Sequence, residues 1–307
     1  MIRLALVFSI LFVATFTAAA PASAQKKMDI TTHRLYNGTS DLSRSEAQQI
    51  ADGRFGSLMS QLAGVIEPTV LTPAHSLGSR GFYLGFETGV SQIDHQSEYW
   101  RLGTHGGANA TEAGNAFPQG ALTHSRGVFR KGLPFGIDVG LGMGHVYLSN
   151  LFLWSAEVKI ALFEGWFKKW PRYLPDIAVQ GFATTITGSK EFSLTVPGGG
   201  LILSKPLVLG HSATLTPMVH VRAVGILADS ELVYAAGITS GSQVTAFNRM
   251  RGYRVRVAPG LVFRYQKLVL SGVFSIDVMD PTRVEEIPNA PELSGQWRID
   301  FGVGFQY

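Results

Sequence analysis

The stretch Trp297-Arg298-Ile299-Asp300-Phe301-Gly302-Val303-Gly304-Phe305-Gln306-Tyr307 decides the fold. Its odd positions are all apolar and its even positions are polar or glycine. Successive side chains of a strand point to opposite faces, so this is a sided strand with one greasy and one polar-or-small surface. Upstream segments repeat the pattern. From Phe135 to Met143, Ile137, Val139 and Leu141 alternate with Gly136, Asp138, Gly140 and Gly142. From Phe152 to Leu162, a row containing Trp154, Val158 and Ile160 opposes Ser155, Glu157 and Lys159. From Tyr253 to Tyr265 the apolar row opposes Arg254, Arg256 and Arg264, so three arginines share one face. From Leu268 to Val278 it opposes Ser271, Ser275 and Asp277. Weaker alternation over 81–93, 121–130, 177–186, 192–203 and 213–225 brings the total to about ten strands, in a range of roughly eight to twelve. Pro197-Gly198-Gly199-Gly200 predicts a bulge or kink, because Pro donates nothing to a ladder and Gly suits irregular geometry.

The chain around these segments has 307 residues, 46% of them hydrophobic and only 16% charged, with 35 glycines and no cysteine. That composition excludes a disordered or coiled-coil protein. Without cysteine there is no disulfide framework, thiolate metal site or cysteine nucleophile. A net charge of +4 with no long basic run offers no footprint for nucleic acid. Arg3, the apolar run Leu4 to Phe16 and the small-residue site Ala22-Ser23-Ala24 lay out a secretory signal peptide over residues 1–24. No later stretch has 18 uninterrupted apolar residues, so a membrane would have to be crossed by a closed β-barrel, the other structure that satisfies every backbone group in hydrocarbon.

An export signal, no cysteine, and a sided strand ending on an aromatic residue resemble bacterial outer-membrane β-barrel proteins, whose C-terminal targeting signal has this form. The resemblance implies an all-β fold: a transmembrane, antiparallel, up-and-down β-barrel over residues 81–307 in the outer membrane of a Gram-negative (diderm) bacterium. It also implies outer-membrane lipids as surroundings, and the barrel assembly machinery and periplasmic chaperones as partners during biogenesis. No porin, adhesin or enzyme subfamily is matched. The connections fit: Gln266-Lys267, 204–210 and 131–134 are short, 163–176 is a longer exception, and the alternate links 94–120, 226–250 and 279–294 are long. Trp154, Trp166, Trp170, Tyr173, Tyr265, Trp297 and Tyr307 are candidate membrane-interface aromatics, with Trp100 and Tyr147 also near strand ends.

Residues 25–80 differ in composition from the rest. Ser43 and Glu46 fit a capping box, and Ala47, Ile50, Ala51, Phe55, Leu58, Leu62 and Ile66 follow at helical spacing, ended by Pro68. This predicts an amphipathic helix that plugs the lumen, makes a periplasmic contact, or lies against the barrel mouth. If the apolar rows face lipid, the opposite rows gather Glu87, Asp138, Glu157, Lys159, His220, Arg222, Arg254, Arg256, Arg264, Asp277, Arg298 and Asp300 in the lumen. A barrel of about ten strands is narrow inside. Either these charges pair and hold the lumen shut, or unpaired arginines line a thin water path and favour anions. The two functional expectations are a narrow porin-like channel for small solutes, and a sealed, adhesin-like barrel presenting long loops to an extracellular ligand.

Catalysis is not expected. His124-Ser125 and His211-Ser212 are sequence neighbours that a strand points to opposite faces, and Gly210-His211-Ser212 lacks the final glycine of a nucleophile elbow. No metal is expected from the eight scattered histidines, and no cofactor from Gly140, Gly142 and Gly144, which stand in a strand with no helix following. The polar stretch Thr104 to Thr111 suits either a ligand or solvent.

Overall fold

The computed structural model describes residues 26–39, 42–69, 71–106, 114–163, 174–234, 244–285 and 292–307. The signal-peptide residues 1–24, the aromatics Trp166, Trp170 and Tyr173, and most of the polar loop beyond Gly106 lie outside the described residues. In chain order the strands are β1 (Phe82–Gln92), β2 (Ala121–Leu133), β3 (Ile137–Val146), β4 (Phe152–Ala161), β5 (Asp176–Thr187), β6 (Phe192–Ser204), β7 (Leu207–Leu209), β8 (Ala213–Ser230), β9 (Val233–Tyr234), β10 (Val244–Thr245), β11 (Met250–Tyr265), β12 (Leu268–Asp277), β13 (Thr282–Arg283) and β14 (Trp297–Gln306).

Ten of these close a ring. β1 to β6 pair in sequence order, β6 pairs with β8, β8 with β11, β11 with β12, β12 with β14, and β14 with β1, every pair antiparallel. The seam joins the two ends of the barrel sequence: Phe82 N donates to Tyr307 O at 3.0 Å and Tyr307 N to Phe82 O at 2.9 Å. Closure removes both edges, so the ladder leaves no row of unpaired backbone groups. β7 and the pieces β9, β10 and β13 extend the connections.

The alternation of the sequence becomes the two faces of the wall. Leu84, Phe86, Phe129, Leu141, Trp154, Leu201, Leu261, Phe274 and Phe301 are exposed on the outside, a continuous apolar belt that a soluble protein would have to cover. Trp154 and Tyr265 are half exposed and Tyr307 more so, while Trp297 is only partly exposed. The tight connections 134–136 and 266–267 fall at the end that holds Tyr307, together with 162–175 and 205–212. The long ones fall at the opposite end, where 147–151 and 188–191 are also short.

Several local expectations are corrected. Phe135 does not start a strand: it has φ 66° in the turn Pro134–Gly136, and β3 begins at Ile137. Pro197 makes no bulge, since Thr195↔Leu227 and Gly198↔Val224 keep one register on either side of it. What changes there is the chemistry of the inner face. Phe192, Leu194 and Val196 point inward as apolar residues; after the glycines Leu201 and Leu203 point outward, while Ile202, packed on Ala74 of the plug, and Ser204 point inward. β8 continues to Ser230 and β11 starts at Met250, so the loop between them is shorter than 226–250. Trp100 is no interface residue; it lies fully buried in a short helix, Glu98–Leu102, within the first long loop.

The inward apolar residues have a partner. A long helix, Arg44–Ile66, is capped by Ser43 and Glu46 in reciprocal hydrogen bonds and packs inside the ring against β1, β2, β5, β6, β8 and β11. Phe55, Leu58, Met59 and Leu62 form one core with Leu122, Val146, Phe182, Leu194, Val224 and Ile226 of the wall. The sequence shows one apolar stripe on this helix. Inside a barrel the polar stripe is covered as well, and every residue from Ala51 to Ile66 is buried.

The direction of the wall can be checked by one charge. Leu141, 67% exposed in the middle of β3, is expected to face the hydrocarbon midplane. Leu141→Arg should then lower the stability of the lipid-inserted barrel by about 2–4 kcal/mol, read by urea titration in vesicles. The same substitution on a soluble barrel's exterior would cost almost nothing.

Candidate functional site: the plugged lumen

The lumen is occupied along its length by residues 44–69 and 71–77. The helix sits in the half nearest the long loops: Gln61 accepts from Asp94 N at 2.9 Å and from Trp100 Nε1, and Asp52 holds Asn248 of the β8–β11 loop at 2.7 and 2.8 Å. Before the helix, the chain caps that same mouth. Met28 N donates to Leu148 O at 2.9 Å, Asp29 accepts from Asn150, and Thr32 and His33 bond Glu191 in the β5–β6 turn. After the helix the chain runs extended toward the other mouth. Thr69 meets Glu87 and Arg126, Pro73 O and His75 O accept from Lys159 Nζ at 2.8 Å each, and Leu77 N donates to Asp138 at 3.0 Å, after which Gly78–Gly81 turns into β1.

The helix ends on a ring of guanidiniums. A helix leaves its last carbonyls without intrahelical donors and carries partial negative charge there. Arg254 donates to Ser60 O, Arg256 to Gly64 O at 3.3 Å, and Arg298 to Gly64 O, Val65 O and Glu67 O, the last at 2.8 Å. Arg222 Nη1 reaches Pro68 O at 3.3 Å. Glu67, which caps this end, lies 2.6 Å from Arg222 and 2.9 Å from Arg256 as an ion pair. Asp277 joins Arg254 (3.2 Å) to Arg256 (2.7 Å), and Asp300 takes both contacts of Arg298 Nε. All four arginines are at most 2% exposed.

A second tier lies closer to Tyr307. Glu87 bridges Arg126 (3.0 Å) and Arg130 (2.8 Å), Arg130 also pairs with Glu157, Gln180 donates to Glu157 at 2.9 Å, and Lys159 pairs with Asp138 at 3.0 Å. Small inner residues make the room: a Cβ on Gly140 would collide with Glu157 and Arg130, one on Gly144 with Arg126, and one on Gly200 with Arg222. His220 and His124 are buried, and neither ring nitrogen of either has a hydrogen-bond partner among the described residues.

The structure therefore brings Arg222, Arg254, Arg256, Arg298, Asp277 and Asp300 into one ring and Glu87, Asp138, Glu157 and Lys159 into another layer. It separates Arg264 from both. That side chain, which shares a strand face with Arg254 and Arg256, is near the Tyr307 end and among the described residues donates only to Gln266 O, at 2.9 Å. Arg126 and Arg130 were not legible as lumen residues, because both rows of β2 mix polar and apolar types. Glu67 was missed because nothing periodic marks the segment that carries it.

Burial by itself would raise the Glu67 carboxyl, but Arg222, Arg256, Arg298 and Arg254 around it prevail and hold it down at about 2. It is ionised at any physiological pH, and its pairing is a stable feature of the closed lumen.

No protein-family model and no curated protein matches the chain. Among solved structures it is similar to the translocator domain of the autotransporter NalP from Neisseria meningitidis (14% identity, 88% of this chain and 100% of that one, TM-score 0.35). It is also similar to the outer membrane protein OprG from Pseudomonas aeruginosa (10%, 77% and 99%, TM-score 0.29) and to Ail, the attachment invasion locus protein of Yersinia pestis (8%, 75% and 99%, TM-score 0.27).

Removing the one acidic group that the plug gives to the ring should loosen the plug. Glu67→Gln is expected to cost about 3–5 kcal/mol, the usual penalty for leaving buried charge unpaired. Because the folded-state carboxyl lies below its unfolded value, its contribution is complete above about pH 4.5 and is lost as pH falls toward 2. Amide exchange of residues 60–69 should show this: protection in the parent should fall relative to the variant across that window, and the difference should be constant from pH 5 to 7.

Proposed function

We propose that this chain is exported through residues 1–24 and resides in the outer membrane as a barrel sealed by its own N-terminal segment, with its working surface at the mouth formed by the long loops. The observation that carries this reading is the path of the described residues between 26 and 81. They start at that mouth, fill the lumen and leave at the Tyr307 end, so the chain displays residues 26–39 and the loop 93–106 on one side as a single cap. Ile30 bridges Thr104, and Thr31 N donates to Gly103 O at 3.0 Å, which joins the two pieces. With the terminal carboxylate on the periplasmic side, the cap faces outward and is the surface available to an extracellular ligand.

A second reading, a gated path for small anions, is favoured by the charge on the ring. Four guanidiniums face Asp277 and Asp300 from the wall and Glu67 from the plug. With the plug withdrawn, two positive charges in excess would line the lumen at this layer, and rings of fixed charge select their counter-ion.

Both readings are tested in a chain whose lack of cysteine makes a single engineered thiol specific. Lys27→Cys should react with a membrane-impermeant maleimide on intact cells, whereas Val208→Cys should react only after the outer membrane is opened. The reverse pattern would overturn the orientation. In planar bilayers the inserted parent chain is expected to be silent, and steady current from it would refute the sealed barrel. Discrete anion-selective steps from Glu67→Gln would establish the gated path, and silence there would remove it.

A further inference from the structure

Between the second charge tier and the Tyr307 mouth, the lumen keeps a cavity of about 300 Å³. Its walls are mainly apolar, with Leu71 of the plug facing Val262 and Val269 of the barrel; Arg264, Lys159, His75 and the Tyr83 phenol are the ionisable groups among its described linings. Their commitments differ. The Lys159 ammonium is used up by Asp138, Pro73 O and His75 O. Arg264 spends only its Nε, on Gln266 O, and has no carboxylate at ion-pair distance among the described residues. The buried Nδ1 of His75 has no hydrogen-bond partner among them either. Burial, with Lys159 and Arg264 adding to it, pulls the His75 pKa down to about 4, so at neutral pH the ring is uncharged and can donate or accept.

One uncommitted guanidinium, one uncommitted neutral ring and a greasy wall make a site with a charged end and an apolar end. The volume is that of about ten water molecules, at ~30 Å³ each, which suits a ligand of similar heavy-atom count, and pockets of this size are at the lower limit for small-molecule sites. We propose that the cavity binds a single-chain amphipathic anion of about ten heavy atoms, its carboxylate on Arg264 and its tail against Leu71, Val262 and Val269, entering from the Tyr307 mouth. Arg264 is thereby a ligand-binding residue and not a member of the arginine ring. The site needs no open lumen, since the plug forms one of its walls.

Octanoate, with ten heavy atoms, is the probe. The mature chain in lipid nanodiscs is exposed to a diazirine analogue of octanoate, irradiated, and the adducts are mapped by mass spectrometry. Adducts are expected within 71–77 or 262–269, reduced at least tenfold by excess octanoate and little by octanol, which keeps the tail and lacks the charge. Arg264→Gln should lose the labelling at least tenfold, and Arg264→Lys should retain most of it. Heat-dependent gel mobility reports whether each variant is folded; should Arg264→Gln not fold, octanol competition in the parent and labelling of the Lys variant still decide. Adducts confined to outward-facing strand residues, or equal competition by octanol, would reduce the cavity to a solvent vestibule.

Discussion

The structure depends on the meeting of a helix C-terminus with four buried arginines. Each guanidinium is costly to take out of water, and two wall aspartates are too few for Arg222, Arg254, Arg256 and Arg298. Glu67 supplies a third carboxylate, and the carbonyls of Gly64, Val65, Glu67 and Pro68 at the helix end supply acceptors that no strand could offer from the same place. Wall and plug are thus incomplete without each other. A barrel closed without residues 44–77 would bury unmatched charge, and the helix alone would expose an apolar stripe and four orphan carbonyls.

The same dependence explains the inner face of the wall. Near the long loops, the inward rows of β6 and β8 are Phe192, Leu194, Val196, Val224, Ile226 and Ala228, because what they face is a packed helix. Farther down, the lumen holds an extended segment with its own peptide groups: β8 turns inward Arg222 and His220, and β1 to β4 turn inward Glu87, Arg126, Arg130, Asp138 and Lys159, most of which bond that backbone or one another. An aqueous pore would favour polar inner rows throughout. The change from apolar to charged along one strand records the change from helix to extended chain in the lumen.

How much of this was legible follows from what each residue answers to. The outer face answers to one uniform solvent, hydrocarbon, so period-two alternation exposed the ten strands and their register of faces directly. The inner face answers to a segment remote in the sequence; Glu67 pairs with Arg256 across 189 residues, and no local pattern encodes that. The break at Pro197 shows the limit well. Its shift of apolar phase is visible in the sequence and suggests a change of geometry, whereas the register continues and the shift arises from a partner that the local sequence does not contain. Trp100 fails for a similar reason: near a strand end an aromatic suits a membrane interface, but the loop folds it inward onto Gln61.

The two ends of the barrel are left with different work. At the loop mouth, residues 26–39 are tied to the 147–151 turn by Met28 and Asp29, to the 188–191 turn by Thr32 and His33, and to the loop 93–106 by Ile30 and Thr31, so the cap is held by contacts that also seat the plug. At the Tyr307 mouth the plug is a single extended strand of chain, which fills less of the cross-section than a helix and leaves the cavity beside Arg264. A helix there would have closed that space with side chains. The asymmetry therefore comes from where the helix ends, at Glu67. The arginine ring that fixes this point divides the half of the lumen filled by the helix from the half that keeps the cavity beside Arg264.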